Sequence, residues 1–159
     1  MNVWKYEVRE TLEISAPPER VYAIAANPDL VPSYAAEIVR IEKVKRLSEH
    51  TVLVRSHLRI WRKTICFQYK YHYQPPRLYS GVQEGRGLLR GYFTLRFTPF
   101  ESGTIVSHTE GILSRVPFCA PIAGLIYFSI LSRGGMKEEL RRLKNLAEAR
   151  GTPFNQTSW

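Results

Sequence analysis

Between Ala36 and Leu113 the chain changes side at nearly every residue, in six successive stretches separated only by short breaks. They read as strands over about Ala36–Leu47, Thr51–Trp61, Arg62–Tyr73, Arg77–Gln83, Leu88–Thr98 and Thr104–Leu113. Ile65, Phe67, Tyr69, Tyr71 and Tyr73 alternate with Thr64, Cys66, Gln68, Lys70 and His72, the period of a strand with one face buried. The breaks are turn chemistry: Ser48-Glu49-His50, Gln74-Pro75-Pro76, Glu84-Gly85-Arg86-Gly87 and Pro99 to Gly103. Strands that follow one another through turns this short pair antiparallel. Their apolar face then needs a cover.

The flanks supply it. Trp4 to Ile14 is a further strand, with Trp4, Tyr6, Val8, Leu12 and Ile14 on one parity and Glu10 as the exception on that same side. Ser15-Ala16-Pro17-Pro18-Glu19 reads as a helix start with a capping-type residue, prolines and an early acid. A short helix carrying Val21, Ile24 and Ala25 follows, and Asn27-Pro28-Asp29 breaks it before a second one ending near Tyr34. From Pro121 onward Ile122, Leu125, Ile126, Leu140, Leu143 and Leu146 recur at helical spacing. Gly134-Gly135 predicts a weak point or kink in that helix, and Gly151 its end. The expected architecture is α+β: a seven-stranded curved antiparallel sheet wrapped around a long C-terminal helix, with two short helices after the first strand. Residues 1–151 make one domain and 152–159 a flexible tail. A sheet wrapped on a helix encloses volume, and such volumes are natural ligand sites.

Charge and cysteine content narrow the setting. The net charge of +9 favours anionic partners. Part of the excess is local: Arg40, Lys43, Lys45, Arg46, Arg55, Arg59, Arg62 and Lys63 face only Glu42 and Glu49 between positions 40 and 63, which reads as a solvated sheet face. The two cysteines, Cys66 and Cys119, have no metal-site spacing and fit a reducing compartment. The first residues carry no apolar signal core, so a cytoplasmic setting is expected. Val116 to Leu131 is uncharged for 16 residues, short of the ~20 a spanning helix needs, and Pro117 and Pro121 interrupt it.

The order of these elements resembles the START-like, helix-grip superfamily, which includes polyketide cyclases and dehydrases, coenzyme Q-binding proteins and lipid-transfer domains. The residues that carry the resemblance are Ile14-Ser15-Ala16-Pro17-Pro18-Glu19-Arg20-Val21-Tyr22, Asn27-Pro28-Asp29, Tyr92-Phe93-Thr94-Leu95-Arg96-Phe97-Thr98-Pro99 with Gly103-Thr104, and Leu140-Arg141-Arg142-Leu143-Lys144. They span about residues 4 to 150. The resemblance implies a helix-grip fold with an internal cavity for a small hydrophobic ligand such as a lipid, an isoprenoid quinone or a polyketide. It also admits a cyclase or dehydrase. Members similar to aromatic cyclases place an arginine on the middle strands, whereas Leu78 to Gln83 holds none and Arg77 and Arg86 only flank it.

The residues themselves offer few catalytic sets. His50, His57, His72 and His108 do not pair at metal-ligand spacing, no nucleophile elbow is present, and neither a metal nor a cofactor is expected. Glu10 stands out, since a carboxylate on an apolar strand face meets a cation or has a raised pKa. On the last strand the parity Ser107, Thr109 and Gly111 is taken as inward, because a hollow site needs missing side-chain volume. The other parity would turn His108 and Glu110 inward as a pair with acid–base potential, which keeps His108 beside Glu10 as a fallback catalytic candidate. The expected ligand contacts are Glu10, Tyr69, Tyr71, Phe93, Ser107, Thr109, Phe118, Ile122 and Ile126. The uncharged stretch from Val116, near Arg115, Arg133 and Lys137, is expected to form the mouth of the pocket and to suit transient contact with an anionic membrane or a dimer partner. An interaction module using the basic face is a third function class. Trp61 between basic residues is its only RNA-like hint, and a nucleic-acid role is not expected.

Overall fold

Strand alternation and helical spacing resolve into β1 (Trp4–Ile14), α1 (Pro18–Ala25), α2 (Val31–Tyr34), β2 (Ile38–Arg46), β3 (Thr51–Ile60), β4 (Lys63–Gln74), β5 (Leu78–Gln83), β6 (Leu89–Phe100), β7 (Gly103–Ser114), α3 (Cys119–Ile126) and α4 (Gly135–Glu148). The structure is a computed structural model that describes residues 3–60, 62–127 and 135–149. Gly134 of the predicted Gly134-Gly135 kink, the helix end at Gly151, the tail 152–159 and Trp61 lie outside those residues, and Gly135 begins α4. The helix expected from Pro121 onward is described in two stretches, α3 and α4.

Among the described residues the strands form one seven-stranded antiparallel sheet in the order β1-β7-β6-β5-β4-β3-β2. Hairpin turns join neighbours from β2 to β7 in turn. The chain's first strand closes onto its last, and α1 and α2 carry the chain from β1 across to β2 at the far edge. The β1–β7 register runs without a break from Trp4↔Ser114 to Ile14↔Thr104. In β2, register shifts between Ile38 and Arg40 and between Lys43 and Lys45 mark bulges, the usual device at an edge.

The core lies between the sheet and the helices. Val21, Ile24 and Ala25 of α1 and Leu140, Leu143 and Ala147 of α4 are buried with Val52, Val54, Leu95, Phe97 and Val106 of the strands. α4 packs on β1, β7, α1 and α2. Three polar ties close the seams. Tyr34 Oη donates to the Ala25 carbonyl at 2.6 Å, and Thr104 Oγ1 donates to the Ala16 carbonyl at 2.7 Å. The Arg20 guanidinium donates to the carbonyls of Ala147 and Ala149 at 2.7 and 2.6 Å, occupying acceptors that a helix C-terminus leaves free. The start of α1 differs from expectation. Pro17 is its N-cap and no side chain caps it; the Ser15 N–H instead donates to Glu148 Oε1 at 2.7 Å. Pro18 at the first helical position offsets the missing cap, because its fixed φ is already helical.

Candidate ligand cavity

The side of the sheet that faces the helices leaves a cavity of about 320 Å³ toward the end away from α1. One wall is aromatic. Tyr71 and Phe93 meet edge to face at 5.3 Å, Tyr71 and Tyr79 at 5.4 Å, and Tyr79 and Phe93 at 5.1 Å. Gly81 makes this possible: a Cβ there would run into the Phe93 ring and come within 2.7 Å of the Tyr71 ring. Tyr71 Oη shares a hydrogen bond with Ser56 Oγ at 2.9 Å, and burial pushes the phenol up to about 12. Ile38, Leu58, Ile60, Leu89 and Ile112 add aliphatic surface.

Next to this wall the cavity is polar. β7 turns His108 and Glu110 inward, α4 brings Glu139, and Glu37 reaches in from the segment after α2. His108 Nε2 lies 3.4 Å from Glu110 Oε1, and His108 Nδ1 lies 4.0 Å from Glu139 Oε2 with no hydrogen-bond partner. The His108 side chain is 2% exposed. Burial lowers its pKa to about 4, so it is neutral across the physiological range. Burial, then the charge of Glu37, pushes the Glu110 carboxyl up to about 7. Glu139 is raised well above its ordinary range, first by burial and then by Glu110 and Glu37. Burial also raises Glu37, against a hydrogen bond from the Tyr127 hydroxyl that pulls it down. Three buried carboxyls, of which Glu37 raises Glu110 and both raise Glu139, form with the neutral imidazole a proton-sharing set within reach of the cavity.

This set can do two kinds of chemistry. A carboxyl that is half protonated near neutrality can give or take a proton, which suits acid–base work. His108, Glu110 and Glu139 also each offer one donor atom within 4.8 Å of the others, a donor set of the kind that holds metal ions.

The expected site residues distribute unevenly. Tyr69, Tyr71 and Phe93 line the cavity, as does His108. Ser107 and Thr109 do not: they lie on the outer face, where Ser107 Oγ meets Thr11 Oγ1 at 3.4 Å and Thr109 Oγ1 accepts from Arg9 Nε at 3.1 Å. The reason is register. Thr109 stands opposite Arg9 and Ser107 opposite Thr11, and directly opposed residues share a face, so the polar side of β1 fixes the outer side of β7. Glu10 is also corrected as a pocket acid. It is on the inner parity but outside the cavity lining, 36% exposed and 3.9 Å from Lys137 Nζ. Phe118, Ile122 and Ile126 are 65%, 59% and 52% exposed and stay clear of the cavity wall. Phe118 packs on Trp4 at 5.3 Å instead. Glu37, Tyr127 and Glu139 complete the lining and are not among the expected ligand contacts. Glu139 had a signal: it falls on the stripe Met136, Leu140, Leu143, Ala147 that α4 buries.

A seven-stranded antiparallel sheet closed by a C-terminal helix over an aromatic cavity defines a helix-grip protein. Residues 5–148 match the family described as polyketide cyclase / dehydrase and lipid transport, and the chain belongs to that family. Solved structures are similar in fold. A Streptomyces aromatase/cyclase is 13% identical with a TM-score of 0.74, over 91% of this chain and 94% of the other. A Thermus thermophilus protein is 22% identical with a TM-score of 0.69, over 89% and 97%. A START superfamily protein from Mycobacterium smegmatis is 14% identical with a TM-score of 0.68, over 89% and 97%. Among curated proteins no match to the sequence is found. No helix among the described residues is long and apolar enough to cross a membrane.

Proposed function

We propose that the protein binds one small, largely apolar molecule in this cavity, as a carrier or receptor for a lipid, isoprenoid quinone or polyketide-like compound. The observation that carries the reading is the cavity itself: about 320 Å³, in the range of small-molecule sites, with aromatic walls and a few polar groups gathered at one pole. Family membership supports it. The test is native mass spectrometry of gently purified protein, together with titration by Nile red. A co-purified small molecule, or saturable dye binding near one per chain, is expected. Absence of both would remove the reading.

A second reading has its own observation. Glu110, poised at about 7 beside a neutral His108, has the protonation state a general acid or base requires, which suits a cyclase or dehydrase acting on a polyketide-like substrate. Proton exchange or dehydration of a β-hydroxyketone probe that is lost in Glu110→Gln, while Nile red still binds, would favour catalysis over carriage.

A further inference from the structure

At the polar pole of the cavity, three carboxyls gather without a matching cation among the described residues. Glu37, Glu110 and Glu139 converge there, and among the described residues no lysine or arginine lies within ion-pair distance of any of them. Arg142 lines the same cavity, but its Nε is engaged by Glu138 at 3.0 Å. Lys137 is held toward Glu10, away from the cluster. His108 does not supply the charge either, because burial keeps it neutral. Buried carboxylates are ordinarily paired, and leaving them unpaired is costly.

The second observation is the orphan acceptor. His108 is 1% exposed, and its Nδ1 faces Glu139 Oε2 across 4.0 Å with no hydrogen-bond partner. With Nε2 directed at the Glu110 carboxylate as donor, Nδ1 carries a lone pair. At 4.0 Å neither the ionised nor the protonated form of Glu139 closes a hydrogen bond to Nδ1, and a donor placed between the two would satisfy the orphan nitrogen. A protonated nitrogen fits, since charge-assisted N–H···O bonds of about 2.7–2.9 Å let one nitrogen bridge both. A metal ion fits less well. At about 2.0–2.2 Å from each atom it would lie almost on the line joining them, far from the tetrahedral angle such sites prefer. A bare ion would also leave the adjoining aromatic volume without purpose. The walls beside the cluster are Tyr69, Tyr71 and Phe93, whose faces attract cations.

Building on the reading of the cavity as a small-molecule site, we propose that its ligand is a protonated amine on an apolar, preferably aromatic, body, with the ammonium seated among His108 Nδ1, Glu110 and Glu139. One proton shared by the two carboxyls and one on the ligand nitrogen leave that part of the site neutral. No bond is made or broken; the step is binding alone.

The test is displacement of Nile red by three molecules with the same indole body and different heads, tryptamine, tryptophol and indole-3-acetate, in buffer containing EDTA. Tryptamine should displace the dye at a concentration at least tenfold below tryptophol, and indole-3-acetate should be weakest. In Glu110→Gln and Glu139→Gln the advantage of tryptamine over tryptophol should shrink to within about twofold, with tryptophol unaffected, which also shows that the variants are folded. Equal displacement by tryptamine and tryptophol in the native protein would overturn the ammonium assignment and leave the cavity reading standing. Failure of all three, with no binding of Nile red, would overturn both. Binding of equimolar Zn²⁺ in EDTA-free buffer that excludes tryptamine and is lost in His108→Ala would overturn the assignment in favour of a metal.

Discussion

Replacing Glu110 by glutamine should stabilise the protein at pH 8 and leave it nearly unchanged at pH 4. The amide keeps the shape and removes the ionisation. The native carboxyl titrates at about 7 against an unfolded value of 4.5, because burial and the charge of Glu37 oppose its ionisation. A raised carboxyl pKa means that the folded state holds the proton more tightly. Its contribution to stability is therefore fully present below pH 4.5 and is lost progressively as pH rises to about 7. At ~1.36 kcal/mol per unit, the loss is about 3 kcal/mol by pH 8. Glutamine escapes that loss. In a chain of this size, the gain would raise Tm by roughly 6–12 °C. His108 has the opposite sign: its lowered pKa gives stability that is present above 6.5 and lost as pH falls toward 4. Native protein therefore shows a flattened pH profile in this region, and the difference between variant and native reports Glu110 together with the part of the rise in Glu139 that Glu110 causes. Urea denaturation at pH 4, 6 and 8, followed by tryptophan fluorescence, measures it. A Glu110→Gln protein that is less stable than native at pH 8, or a difference that does not change with pH, would refute the reasoning and show a carboxylate held by a partner.

Three further outcomes follow from the geometry. Gly81→Val should destabilise by about 1–3 kcal/mol, because its side chain enters the space of Phe93 and Tyr71; unaltered urea midpoints would contradict that packing. Leu58→Trp should weaken Nile red binding at least fivefold by filling the cavity, while Ser107→Leu on the outer face should leave it within about twofold; the reverse pattern would restore the inward parity of Ser107. Phe118, Ile122, Leu125 and Ile126 form an exposed apolar strip of a kind that monomers rarely leave uncovered, and the exposed Arg115 precedes it in the chain. Sedimentation with phosphatidylserine-containing vesicles should therefore exceed that with neutral ones and fall at least fivefold in Phe118→Asp/Ile122→Asp, whereas loss of a dimer in that variant with no change in vesicle binding would assign the strip to a partner subunit.

The sequence carried the sheet but not the site, and the difference is physical. Each strand announces itself locally, since Ile65 to Tyr73 or Val52 to Leu58 alternate whatever they pair with. The inner side of β7 is not a local property. Its two parities hold Ser107 and Thr109 on one side and Val106, His108 and Glu110 on the other, and neither is plainly apolar. The decision is made 100 residues away, by β1. Tyr6, Val8 and Leu12 must face the core, and in the β1–β7 register they stand opposite Ile112, Glu110 and Val106. Any pairing that buries the apolar side of β1 therefore drives Glu110 inward, and His108 with it. The same step explains Glu10, which shares the inner parity opposite His108 but sits where Lys137 can meet it. Polar residues forced onto buried positions by their neighbours' pairing are where local pattern and global fold conflict, and such conflicts collect at functional sites. In this chain they collect at one pole of one cavity, on β7 and on the buried stripe of α4, the same place that the unmatched carboxyls and the orphan imidazole nitrogen mark out for a ligand's charged end.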